Sequence, residues 1–87
     1  MATELKINEF YKWNYFNKYL CYILYITKGS HVLINDDEPV FLILDVREQF
    51  IDKKSTGRLN IKVLWRDKIG WIYSIREEEI KNFVILE

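Results

Sequence analysis

Long apolar runs, net charge, cysteine, histidine and glycine are all scarce in this 87-residue chain, and each scarcity removes a class of function. The longest apolar run, Leu20 to Ile26, falls well short of the roughly 20 residues that a membrane-spanning helix needs. With no charged-then-apolar leader at its start, the chain is expected to be soluble, to carry no signal peptide and to make no membrane contact. Thirteen basic residues balance thirteen acidic ones, so no overall field draws the protein to nucleic acid or to an anionic lipid surface. Cys21 stands alone, which excludes an intrachain disulfide and points to a reducing interior or a disulfide-free particle. Within its apolar run it reads as a small buried hydrophobe, with no base nearby to make it a nucleophile. His31 is the single histidine; lacking a second histidine or a cysteine cluster to share a metal, it reads as an ordinary strand residue. Gly29, Gly57 and Gly70 are isolated from one another, so there is no glycine-rich phosphate loop. Asp36-Asp37-Glu38 lacks the ligand spacing of a calcium loop and reads as a solvated turn, while Glu77-Glu78-Glu79 suits the first turn of a short helix. Catalytic residues, cofactor sites and metal sites are therefore not expected.

Aromatic side chains are what the chain has in quantity. Three Trp, six Tyr and five Phe offer large contact area to a chain long enough for only one small core. From Ser30 onward the sequence reads as short strands separated by turn chemistry. Lys28-Gly29 turns into a strand over Ser30 to Asn35, Asp36 to Pro39 breaks it, and Val40 to Arg47 is the next strand. Phe50 to Gly57 reads as a mobile polar loop. Arg58 to Trp65 and Gly70 to Ile75 form a hairpin, a single helical turn falls within Ile75 to Lys81, and "NFVILE" closes the chain as a strand.

Side-chain parity sets an expected register for that hairpin. Leu59, Ile61, Val63 and Trp65 alternate onto one face, as do Trp71, Tyr73 and Ile75, and residues facing each other across a strand pair share a face. The two sets meet if Trp65 lies opposite Trp71, Val63 opposite Tyr73 and Ile61 opposite Ile75, across an odd-length connection of three or five residues near Lys68 with a bulge at Gly70. Trp65 and Trp71 then belong mainly to the core, although a peptide groove or an aromatic cage is the other use of such a pair.

Five short strands with a loop after the second, a tight hairpin between the third and fourth, and one helical turn before the last follow the order of an SH3-like barrel. "HVLINDDEPVFLILDVRE", "IKVLWRDKIGWIY" and "FVIL" together resemble the small SH3-like β-barrel proteins of tailed bacteriophages. The resemblance covers residues 30–87 and departs from the family at Lys68, where a glycine usually follows the aspartate. It implies a mainly β, five-stranded small barrel and a virion or host-cell cytoplasm setting; it implies no catalytic residue.

Residues 1–29 form an N-terminal extension outside that match. Phe10, Trp13, Phe16, Leu20 and Ile23 recur at three- and four-residue steps, which predicts a helix over about 8–18 with Asn8 as N-cap. β-formers without a polar face predict a strand over about 20–27. The extension holds more than half of the aromatics, and it either covers a barrel edge within the chain or docks on another subunit through Phe10, Tyr11, Trp13, Tyr15, Phe16 and Tyr19. The expected function is a non-enzymatic protein interaction or assembly module, pairing with its own copies or with another structural subunit. The alternative is a small regulator that binds a host protein or nucleic acid through the basic 52–58 loop, with Lys53, Lys54 and Arg58 as the contacts.

Overall fold

A computed structural model describes residues 5–14, 16, 22–27 and 29–86. Seven strands and one helical turn follow in chain order: β1 (Phe10–Trp13), β2 (Ile23–Thr27), β3 (Ser30–Leu33), β4 (Val40–Ile51), β5 (Lys54–Trp65), β6 (Lys68–Arg76), α1 (Glu77–Ile80) and β7 (Phe83–Ile85). They form one open antiparallel sheet in the order β3-β2-β6-β5-β4-β1-β7. The mainly β expectation holds at that level, but the five-stranded closed barrel does not. Both strands of the N-terminal segment are built into the sheet, β1 between β4 and β7 and β2 between β3 and β6.

The N-terminal helix is also corrected. Over residues 10–13 burial alternates along the chain, with Tyr11 and Trp13 inward and Phe10 outward. That is the two-residue period of a strand. The three- and four-residue spacing was a coincidence of a dense aromatic stretch; what decides the conformation is that β1 finds a partner on each side, with Tyr11 opposite Phe41 of β4 and opposite Ile85 of β7. Asn8, instead of capping a helix, turns the chain at φ 70 and donates its amide to the Ile43 carbonyl at 2.7 Å. The predicted strand over 20–27 is observed as Ile23–Thr27, and Gly29 at φ 72 carries the turn into β3. Tyr15, Asn17 and Lys18 of the helix and Leu20 and Cys21 of the strand lie outside the described residues.

The inward face builds one core. Trp13, only 2% exposed, sits at its aromatic centre, with ring centroids of Phe16, Tyr22, Phe83 and Phe41 at 4.7, 5.1, 4.6 and 6.2 Å. Leu24, Ile34, Ile43, Ile61, Val63, Ile72, Ile75 and Ile80 complete it without exposed surface. Burying a side chain of that size contributes about 1.5–3 kcal/mol, so a core this continuous is the main source of stability.

The expected loop over Phe50 to Gly57 is instead the end of the long β4–β5 hairpin. Asp52 and Lys53 turn it with φ 51 and 67. Two consecutive positive φ values match the right-handed twist of flanking strands, which is why two residues suffice.

The β5–β6 hairpin corrects the expected register. Trp65 faces Lys68 across a two-residue turn at Arg66-Asp67, Val63 faces Gly70 and Ile61 faces Ile72. The short turn is held from outside: Asp36 accepts a hydrogen bond from Trp65 Nε1 at 2.9 Å and pairs with the Arg66 guanidinium, which lies 4.7 Å over the Trp65 ring. Nearer the far end, Asn60 stands against both Tyr73 and Ser74, so the register shifts and Leu59 meets Ile75. Ser74, at φ 62, is the extra residue of this bulge. Asn60 Oδ1 accepts its amide at 3.1 Å, and Gln49 Nε2 reaches Asn60 Oδ1 at 3.2 Å and Ser74 Oγ at 2.7 Å. Ile72 and Ile75 consequently both point inward, and Trp71 and Tyr73 point outward. Of the two tryptophans expected on the core face, Trp65 is there and Trp71 is not.

Candidate functional site

Because β1, β4, β5 and β6 turn one face to the core, the register places defined rows of side chains on the other. One row crosses four strands as Phe10, Leu42, Leu64 and Ile69, each opposite the next. It is wholly apolar, and Phe10 and Ile69 at its ends are both 48% exposed. Beside it, Phe10, Val40, Leu64 and Trp65 line a hollow of about 310 Å³ together with the charged Asp36, Glu38 and Arg66. The hollow thus has an apolar floor with charged groups around it.

A second row crosses five strands as Asp45, Lys62, Trp71, Tyr25 and His31. Tyr73 adjoins it, with its ring plane 8° from that of Trp71 and centroids 6.3 Å apart, and with Tyr25 at 5.3 Å. His31 lies 6.0 Å from Tyr25. The Arg47 guanidinium stands 5.8 Å over the Trp71 ring while its Nε donates to Asp45 at 2.9 Å. That hydrogen bond, more than any other contact, holds the Asp45 carboxyl below its ordinary range, so the pair stays ionised at neutral pH.

The residues singled out from sequence are placed differently. Tyr11, Trp13 and Phe16 lie in the chain's own core, where they are not available to a partner; Phe10 alone among the described members of that set is on the surface. Tyr15 and Tyr19 lie outside the described residues. Lys53 and Lys54 sit at the turn of the β4–β5 hairpin and are exposed. Arg58 is four residues along β5, roughly 13 Å from Lys54, and its Nη1 donates to the Ser74 carbonyl at 3.4 Å. The three cations are thus strung along an arm and do not form one cluster.

A separate polar network lies on the core side. The Tyr22 hydroxyl donates to Glu79 Oε2, and Arg76 Nε donates to Oε1 at 3.0 Å. Burial first, and then the bond to Glu79, push the Tyr22 hydroxyl well above its ordinary range, so it remains a neutral donor. This network satisfies the buried Glu79 and ties α1 to the start of β2. Among the described residues no group of three or more His, Cys, Asp or Glu side chains is placed to hold a metal ion, and no helix is long and apolar enough to cross a membrane.

The sequence reading missed Tyr25, Trp71 and Tyr73 as a surface group, and one signal could have found them. A two-residue turn at Arg66-Asp67 puts Trp71 opposite Lys62, and a lysine beside a tryptophan marks an outward pair.

Fold and site together define a small antiparallel β domain whose second sheet face carries an apolar row and an aromatic-cationic row. No family model, curated protein or solved structure matches the chain.

Proposed function

We propose that the protein is a non-enzymatic assembly module that pairs with a second copy of itself through the outer face of its sheet. The observation that carries this is the apolar row Phe10, Leu42, Leu64 and Ile69, which crosses four strands beside a charged-edged hollow while the core is already complete on the other side. Zero formal net charge leaves no overall repulsion between copies. Asp36, Glu38 and Arg66 edge the hollow, with Asp36 paired to Arg66 and Glu38 to Lys12, so the patch carries both signs and no net charge to repel its mate. A role as a small bacteriophage structural or accessory component is the setting we attach to this reading, and its support is the sequence pattern over residues 30–87 alone.

Light scattering on the size-exclusion eluate, across a range of protein concentrations, tests the proposal. A dimer or larger species is expected for the native chain and a monomer for the Phe10→Ser, Ile69→Ser double variant. A native chain that stays monomeric at the highest concentration overturns it.

A further inference from the structure

The aromatic-cationic row offers a chemistry that the apolar row does not use. Tyr25 and Tyr73 are 43% and 45% exposed, and the register brings them and Trp71 together from two neighbouring strands. None of these rings is needed by the core, which is closed on the opposite face by Ile72, Leu24 and Val63. The rings of Tyr25 and Tyr73 offer exposed surface to a planar group, while Trp71 between them is half-buried and carries the Arg47 guanidinium over its ring.

The charges around the platform narrow what that planar group belongs to. Lys62 lies directly opposite Trp71 on one side and Asp45 on the other, and its charge helps to keep that carboxyl ionised. Arg47 holds its guanidinium over the same ring. Lys68 joins Lys62 along a hollow of about 520 Å³ beside Trp71. Two carboxylates oppose them, Asp45 on Arg47 and Asp67 on Lys68 at 3.2 Å, and the balance over these five groups is one positive charge. Cations spaced along one side of stacked rings match a ligand with planar groups and an anionic connecting chain.

We infer that this row binds single-stranded nucleic acid, with bases stacked on Trp71, Tyr73 and Tyr25 and backbone phosphates on Lys62 and Arg47. Stacking needs a free base face, which a single strand supplies and a duplex hides. The row itself holds no aliphatic side chain, although Ile26 and Ile69 line the adjoining hollow; the cations among the rings are what favour a nucleic-acid strand over an apolar peptide. The site also differs from the arm bearing Lys53, Lys54 and Arg58, because it joins the cations to rings.

Fluorescence anisotropy of a labelled oligothymidylate, titrated with the full chain across a salt series, is the test. Two phosphate contacts predict a slope of log affinity on log salt of about −1.4, and Lys62→Gln should reduce it to about −0.7. Trp71→Ala should weaken binding about 5- to 150-fold, the range for one lost base stack. Tyr73→Ala should act in the same direction, and its exposed position keeps the test valid if the tryptophan variant fails to fold. Phe10→Ser, on the apolar row, should leave the affinity unchanged whatever it does to self-association. Absence of binding at low salt, equal affinity for the corresponding duplex, or indifference to Trp71→Ala and Tyr73→Ala would each overturn the assignment.

Discussion

Gly70→Ala is expected to loosen β2 from the rest of the sheet. Gly70 is buried on the inward face of β6, and a Cβ added there would stand 2.5 Å from the Tyr25 carbonyl oxygen, 2.9 Å from its carbon and 3.0 Å from Leu24 Cγ. Unstrained carbon contacts begin near about 3.5 Å, so the β2 backbone would have to retreat by roughly half to one ångström. Backbone, unlike the end of a flexible side chain, retreats only by giving up its pairing, and β2 meets β6 at the single register position Tyr25–Trp71. Forced overpacking costs about 1–3 kcal/mol and a lost ladder hydrogen bond about 1 kcal/mol more, giving a total of about 2–4 kcal/mol. In a domain of this length that lowers the melting temperature on the order of 10–30 °C. Urea unfolding followed by tryptophan fluorescence measures the free energy, and hydrogen exchange at the Tyr25 and Trp71 amides locates it. A loss below about 0.5 kcal/mol, within the range of an ordinary surface substitution, would refute the close approach of β2 to Gly70.

Three further outcomes follow from other parts of the fold. Lys53→Gly should stabilise the chain by up to about 1 kcal/mol in urea unfolding, because an Asp-Gly pair suits the two positive φ values at the β4–β5 turn better than Asp-Lys does. Trp13→Ala should remove about 3–5 kcal/mol in urea unfolding, whereas Phe10→Ala should stay within about 0.5 kcal/mol; similar effects from both would mean that β1 does not alternate as described. Tyr22 carries a raised folded pKa, so its contribution is fully present below the unfolded value of 10.0 and declines as pH rises above it, where the unfolded chain ionises and the folded one does not. Native protein should therefore lose more stability than Tyr22→Phe between pH 9 and 11, as roughly set by that ordinary tyrosine value, and parallel losses would contradict the buried bond to Glu79.

Much of the strand pattern was legible because turn chemistry is local. Gly29, the Asp36–Pro39 break and the Glu77–Glu79 run each announced a boundary that the structure has. What was not legible depended on partners remote in sequence. Phe10 to Phe16 satisfies both a helical and an alternating pattern, and only the simultaneous pairing of β1 with β4 and β7 decides between them. The hairpin register was misread for a related reason. Parity favoured an odd connection, but Asp36, some thirty residues upstream of Arg66, clamps the shorter turn. One bulge then lets both Ile72 and Ile75 face inward. The site followed the same division: its lysines and aromatics are obvious residue types, but which of them share a face depended on that register.

The bulge at Ser74 also says where this chain could change length. Counting from the Arg66-Asp67 turn, removal of Ser74 alone would leave Tyr73 opposite Asn60 and Ile75 opposite Leu59, so every side chain of β6 would keep its present face. Loss of one codon between Ile69 and Ile72 would instead exchange the two faces on the stretch nearest the turn, sending aromatic rings into the core and isoleucine into solvent. Ser74 thus does not decide which side chains face the core; it holds the Asn60–Gln49 network and affects shape, since bulges bend a strand and increase its twist. Together with the register shifts at Tyr25–Thr27, Ile43–Asp45 and Glu48–Phe50, that serine bends an open sheet of seven strands, so the outer face is curved where its strands are irregular.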